Sequence, residues 1–326
     1  GLSVVAFGGG CHASIGNVPE SYNVALSLAG MDGVVAYEPE DLTVTLQPGV
    51  RLSELQTLLA QNHQLLPLDP PAGDAATIGG VLAANASGPL RHAYGTARDW
   101  VIGMRVAGAD GVVSKSGGRV VKNVAGYDIA KLHIGALGTL GVITEVTFKL
   151  APAPPVSKTL AVTCDTPHSA ALVAFAAHDS GLALQALELL SPPAAYAVIG
   201  ESRWSLLARA GGAQAAVDRT IAELAALSAG LAGTLSEARD ASWRAWAATF
   251  APGALSLRAS VLPADVAEIV EVMDRRFTGA AAMLSATVSA GLIRASVDAQ
   301  RVRPLTIIEH AREAVARRGG SLFIDA

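Results

Sequence analysis

Glycine, cysteine and histidine meet near the start of the chain, in Gly8-Gly9-Gly10-Cys11-His12, directly after the apolar residues Val4 to Phe7. Successive glycines can turn neighbouring backbone N–H groups toward one point, which grips an anion without any charged side chain. Two more stretches of this kind follow. Pro70 to Gly80 contains Thr77-Ile78-Gly79-Gly80 and runs into Ala83–Gly88, whose small residues let another molecule lie on the backbone. Gly117 to Glu145 is the third. Lys and Arg are sparse around all three. The pattern therefore suits the pyrophosphate of a large, partly apolar cofactor better than a triphosphate, with Arg91 and Arg98 to meet the remaining charge.

The first loop does not run into a helix. Asn17, Pro19 and Glu20 follow it, then an apolar run at Val24, so the strand–loop–helix of a dinucleotide fold is absent, as is the Lys-Ser/Thr of a phosphate loop. An anion-binding nest and a tight strand-to-strand corner both remain open on these residues alone. Cys11 and His12 are candidates for direct chemistry, and equally for plain backbone donors at a corner.

The elements around these loops divide at Ala151-Pro-Ala-Pro-Pro-Val156, where prolines restrict the backbone to an extended linker. We expect one domain over 1–152 and a second over 153–326. In the first, short strands are expected at Val24–Leu28, Val34–Tyr37 and Leu42–Gln47, and a helix after Ser53 with Gln56 as its capping box. Val142 to Leu150 alternates, placing Val142, Thr144, Val146, Phe148 and Leu150 on one face of a half-exposed strand. The second part alternates strands and helices, including helices at His168–His178, Trp243–Phe250 and Val266–Phe277. It reads as an antiparallel sheet with helices on one face. The fold class is α+β.

The 326 residues carry a net charge of −4, which argues against a nucleic-acid partner. The mean hydropathy of +0.40 comes largely from alanine. The longest uncharged apolar stretch, Thr278 to Ile293, is too short to span a bilayer comfortably. Cys11 and Cys164 stand far apart, in no metal spacing, and suit a reducing cytoplasm; no metal site is expected. Cys164, Trp243 and Trp246 read as core. Arg98-Asp99 reads as a local ion pair or as support for the Tyr94-Gly95-Thr96 loop.

Taken in order, the three glycine motifs, with Tyr94-Gly95-Thr96 and Gly138-Thr139-Leu140-Gly141-Val142-Ile143-Thr144, resemble the FAD-binding domain of the vanillyl-alcohol oxidase family. Val120 to Pro152 is similar to the E subunits of bacterial glycolate oxidases. The resemblance is dense from Val4 to about Pro155 and weak beyond. It implies a two-domain protein, an FAD-binding domain followed by an α+β cap with an antiparallel sheet. Gly8, Gly9, Gly10, Cys11, His12, Thr77, Gly79 and Gly80 would wrap the pyrophosphate. Asn85, Gly88, Gly95, Thr96 and Arg98 would line the cofactor. Val142 and Ile143 would lie near the adenosine, and Lys122, Asn123, Gly126 and Tyr127 near the flavin ring; Lys122 and Tyr127 are the catalytic candidates.

The resemblance further implies non-covalent FAD and a glycolate- or D-2-hydroxy-acid-oxidising complex with a sister FAD subunit and an iron–sulfur subunit. It implies a cytoplasmic location, at the inner face of the membrane through that complex. The family's strand–helix unit before the first loop and its Asn-Pro-Gly-Arg ending are not in the sequence, so both termini are expected to lack an element. The Gly-Asp-Gly-Asn-His segment of the catalytic relatives is also absent, which favours an accessory or electron-relaying role. A self-sufficient hydroxy-acid oxidase and a flavin-free assembly module are the alternatives.

Overall fold

A computed structural model describes the chain except residues 17–19, 72–74, 120–126, 252, 254, 278–280, 299, 301–302 and 326. The described residues form two compact units: 1–88 with 95–153, and 89–94 with 154–326.

In the first unit, β1 (Val4–Phe7) and β2 (Val24–Ser27) pair in parallel, and β3 (Val34–Glu38) and β4 (Thr43–Leu46) begin an antiparallel sheet. Helix α1 (Leu52–Ala60) and β5 (Gln64–Leu65) precede α2 (Ile78–Ala84); after α3 (Arg91–Tyr94), which belongs to the second unit, come α4 (Ala97–Trp100), β6 (Val101–Ala107), β7 (Val113–Gly117), α5 (Ala130–His133), β8 (Val142–Lys149) and β9 (Ala151–Pro152). The five-stranded sheet has the order β3-β4-β8-β6-β7. Leu46, Leu55, Leu59, Ile78, Leu82, Val146 and Phe148 are fully or almost fully buried in one core under it.

Two expectations fail here for identifiable reasons. The α1 N-cap is Arg51, not Ser53, because Gln56 is drawn away from the helix start: its side chain donates to the Leu66 carbonyl at 2.5 Å and accepts from the Leu66 N–H at 3.3 Å. The strict alternation of β8 also breaks. A register shift against β6 lies between Arg105 and Val106, so Ile143, not Val142, enters the core together with Val146 and Phe148. Flanked by β4 and β6, β8 is a central strand rather than a half-exposed one.

The second unit holds β10 (Val156–Cys164), α6 (Pro167–Asp179), β11 (Leu184–Leu190), α7 (Pro192–Ile199), β12 (Trp204–Gly212), α8 (Gln214–Gly230), β13 (Thr234–Glu237) and α9 (Ala241–Thr249). It continues with β14 (Leu255–Ser260), α10 (Val266–Arg276), β15 (Met283–Thr287), β16 (Leu292–Val297), α11 (Pro304–Ala316) and β17 (Ser321–Ile324). All eight strands are antiparallel to their neighbours, in the order β13-β10-β12-β11-β15-β16-β14-β17. Leu187, Leu189, Leu206 and Ala208 join the core with residues of α6, α8, α10 and α11. The alternate residues Ala186, Leu190 and Leu207 join a separate cluster with Trp243, Trp246 and residues of α7. Helices thus cover both faces of this sheet, a correction to the one-face expectation.

The second face also carries buried charge. Glu188, 0% exposed, accepts hydrogen bonds from Ser285 and Thr287, and Trp246 Nε1 donates to Ser285 Oγ at 2.8 Å. Ser285, Arg294, Arg258 and Phe323 stand opposite one another across four strands. Arg294 lies over the Trp246 ring at 5.3 Å, and Arg258 bonds Asp325 at 3.1 Å.

Candidate functional site

The glycine loop after β1 folds back on the start of α2. Thr77 caps that helix, and its hydroxyl accepts N–H bonds from Gly80 at 3.4 Å and from Gly9 at 3.3 Å. The glycines are required by space. A Cβ on Gly8 would stand 2.4 Å from Thr77 Oγ1, and one on Gly9 2.0 Å from the Ala75 carbonyl oxygen. Gly10 has open space around it and a φ of +74°, so there the demand is conformational. Turns at Gly10–Ala13 (3.1 Å) and His12–Ile15 (3.2 Å) carry the loop onward, with the Cys11 thiol directed to the Gly9 carbonyl at 3.6 Å. Gly79 differs from its neighbours: it donates to the Pro48 carbonyl at 2.8 Å, and a Cβ there would meet Pro48 at 2.7 Å. It lets α2 approach the chain at Pro48.

At the other end of α2, Asn85 takes the left-handed conformation (φ 46°, ψ 43°), and its buried Oδ1 has no hydrogen-bond partner among the described residues. Gly88 passes so close to Asp69 that a Cβ would lie 1.8 Å from its carbonyl oxygen. Gly95, at φ +75°, sits against the Asp99 carboxylate. Asp99 accepts from the Thr96 N–H at 2.8 Å and hydroxyl at 3.2 Å, while Arg98 donates to the Lys131 carbonyl at 2.7 Å. Arg98 and Asp99 therefore serve different partners, and of the two readings of this dipeptide it is support of the Tyr94-Gly95-Thr96 loop that Asp99 provides. The third glycine stretch returns to the same helix: Gly135 N–H donates to the Leu82 carbonyl and Leu137 N–H to that of Ala83, both at 2.9 Å. A Cβ on Gly16 of the first loop would stand 3.6 Å from Leu137 Cδ1.

Helix α2 is thus the common support of Gly8, Gly9, Thr77, Gly80 and Asn85. Gly88, Gly95, Thr96 and Arg98 follow along the chain, half-buried Val142 and buried Ile143 start β8, and Cys11 and His12 are half-buried on the loop. Arg91 falls in the second unit. Tyr127 is 92% exposed, and Lys122, Asn123 and Gly126 lie outside the described residues. His133, which no motif singled out, has a buried Nδ1 with no partner among the described residues; desolvation lowers its pKa from the ordinary histidine value. Among the described residues, no group of three or more His, Cys, Asp or Glu could hold a metal ion, and no helix is long and apolar enough to cross a membrane.

A cradle with no room for a Cβ at Gly8, Gly9 and Gly88, beside an orphaned amide oxygen, fits a large molecule held on bare backbone. The comparisons agree with that geometry. Residues 1–117 match the FAD-binding-4 family model, described as an FAD binding domain. This part of the chain is an FAD-binding domain, and FAD is its cofactor. The fold is that of the p-cresol methylhydroxylase type: p-cresol methylhydroxylase itself superposes with a TM-score of 0.76 at 16% identity, over 98% of this chain and 76% of that one. An alkyldihydroxyacetonephosphate synthase gives 0.76 at 17%, over 98% and 67%.

In sequence, the chain is 41% identical over 129 residues to glycolate oxidase subunit GlcE of Escherichia coli, covering 39% of this chain and 37% of that protein. It is 36% identical over 159 residues to glycolate oxidase subunit GlcD of Bacillus subtilis, covering 49% and 34%. A mitochondrial D-lactate dehydrogenase (cytochrome) of Arabidopsis thaliana is 38% identical over 189 residues, covering 58% and 33%. The chain matches about a third of the length of these curated relatives.

Proposed function

We propose that this chain is an FAD-binding subunit of a dehydrogenase complex that oxidises glycolate or a related D-2-hydroxy acid. Its role is accessory or electron-relaying, beside a sister FAD subunit and an iron–sulfur subunit. The observation that carries the reading is the 41% identity over 129 residues to a glycolate oxidase E subunit. When bound, FAD supplies an acceptor for the two electrons of hydroxy-acid oxidation. This chain's own part is to hold it: Gly8, Gly9, Gly10, Cys11 and His12 with Thr77, Gly79 and Gly80 around the pyrophosphate, and Asn85, Gly88, Gly95, Thr96 and Arg98 along the rest. Val142 and Ile143 serve the adenosine end. Lys122 and Tyr127 are the groups nearest the reacting side in this reading, and the flavin is held without a covalent bond. The complex sits in the cytoplasm at the inner face of the membrane.

Co-purification tests the assembly. The expected result is a yellow protein that captures an iron–sulfur protein and a second flavoprotein, and that reduces a dye with glycolate or D-lactate only in their company. Acid precipitation should leave the flavin in the supernatant. One observation favours a self-sufficient hydroxy-acid dehydrogenase instead: the match to D-lactate dehydrogenase runs over 58% of this chain, against 39% for the E subunit. Dye reduction by the purified chain alone would decide for that reading.

A further inference from the structure

Two polar atoms of the first unit are buried with no hydrogen-bond partner among the described residues, Asn85 Oδ1 and His133 Nδ1. Buried polar groups are paired in the great majority of proteins, so each such atom calls for an explanation, and a contact to a cofactor is one. The fold brings the segments that carry them together at the end of α2. Asn85 ends α2, and His133 ends α5 just before the loop that closes over the same helix end. Two residues after His133, Gly135 donates to the Leu82 carbonyl at 2.9 Å, and a Cβ on Gly135 would stand 3.4 Å from Asn85 Cβ. Gly135 itself is at φ +88°, so the loop turns sharply here without a side chain in the way. Burial favours the neutral imidazole, whose Nδ1 donates or accepts according to its tautomer.

We propose that His133 is a positioning residue of the FAD site, and that its Nδ1 and the Asn85 amide oxygen together hold one polar edge of the cofactor. The inference rests on the FAD-binding reading of the first unit. Asn85 Oδ1 needs an N–H or O–H from that edge, next to a group that an imidazole nitrogen can pair with. The pyrimidine edge of the flavin and the amino edge of the adenine both offer this combination.

FAD affinity of the flavin-stripped protein, followed by fluorescence quenching, tests it without reference to turnover. His133→Phe keeps a ring and removes the nitrogen. Asn85→Gly keeps the left-handed turn and removes the side chain with its amide. Each should weaken FAD binding about tenfold, with an unchanged melting temperature for the flavin-free protein. His133→Gln should recover part of the loss. If both atoms serve one edge, the double variant falls well short of the product of the two losses. FMN and ADP, titrated separately, assign the edge: a loss for FMN marks the flavin, a loss for ADP the adenine. Wild-type affinity in His133→Phe, or losses that multiply in the double variant, overturns the proposal. A wild-type protein that binds no FAD overturns the underlying reading instead.

Discussion

A methyl group on Gly9 would have to share space with the Ala75 carbonyl oxygen 2.0 Å away, and neither is at the end of a flexible chain. Gly9→Ala should therefore cost stability, by roughly 1–3 kcal/mol, and release FAD. Gly30→Ala, where nothing lies within 4 Å, should stay within about 0.5 kcal/mol of the parent. Flavin retained after gel filtration and the urea midpoint check both. At His92 the test is pH. Its ring meets His178 at a centroid distance of 5.3 Å and bonds Ser289 at 2.9 Å; burial first, then His178, lowers its pKa from 6.5 to about 4. The unfolded chain thus takes up a proton that the folded one refuses. Stability from this residue is complete above pH 6.5 and is lost as the pH falls toward 4, by up to roughly 3 kcal/mol. His92→Gln should flatten the dependence of melting temperature on pH in that window.

Among the elements, the buried row of the second unit is the most exposed to a single change. Glu188 holds the hydroxyls of Ser285 and Thr287, and burial pushes its carboxyl above the ordinary range while Arg294 pulls it back. Glu188→Leu would leave the Arg294 guanidinium without that opposing charge, at a cost of roughly 3–5 kcal/mol; Glu188→Gln should cost less. Urea unfolding read by tryptophan fluorescence checks it, since Trp246 bonds Ser285. Nothing in the spacing of these residues announces the row. Its members come from β11, β15, β16 and β14, so only the strand order assembles it. The elements themselves were far more legible: the strand at 34–37 is β3 to within one residue, and the helices at 168–178, 243–250 and 266–277 fall within two residues of α6, α9 and α10. Local pattern decides such segments. It fails where a distant partner intervenes, as Leu66 does for Gln56 and the β6 register shift does for Ile143. At the candidate site the glycine positions could be read, because close approach selects glycine; His133 could not, since a lone histidine carries no spacing.

For the molecule as a whole, FAD binding and folding are linked. FAD at a hundred times its Kd should add about 2.7 kcal/mol of stability, visible as a rise in the first melting transition by scanning calorimetry. If it adds nothing, the cofactor is not held by the native fold. The route of the chain sets a further condition. Pro89 to Tyr94 packs with the second unit, where Tyr94 receives a bond from Gln185 at 2.8 Å, while the residues on either side belong to the first. The chain therefore passes between the two units three times rather than once. A gene split between Ala153 and Pro154 would hand one half a segment whose partners are encoded by the other. Exchanging the second unit for another therefore needs three matched joints, at 88/89, 94/95 and 153/154, instead of one.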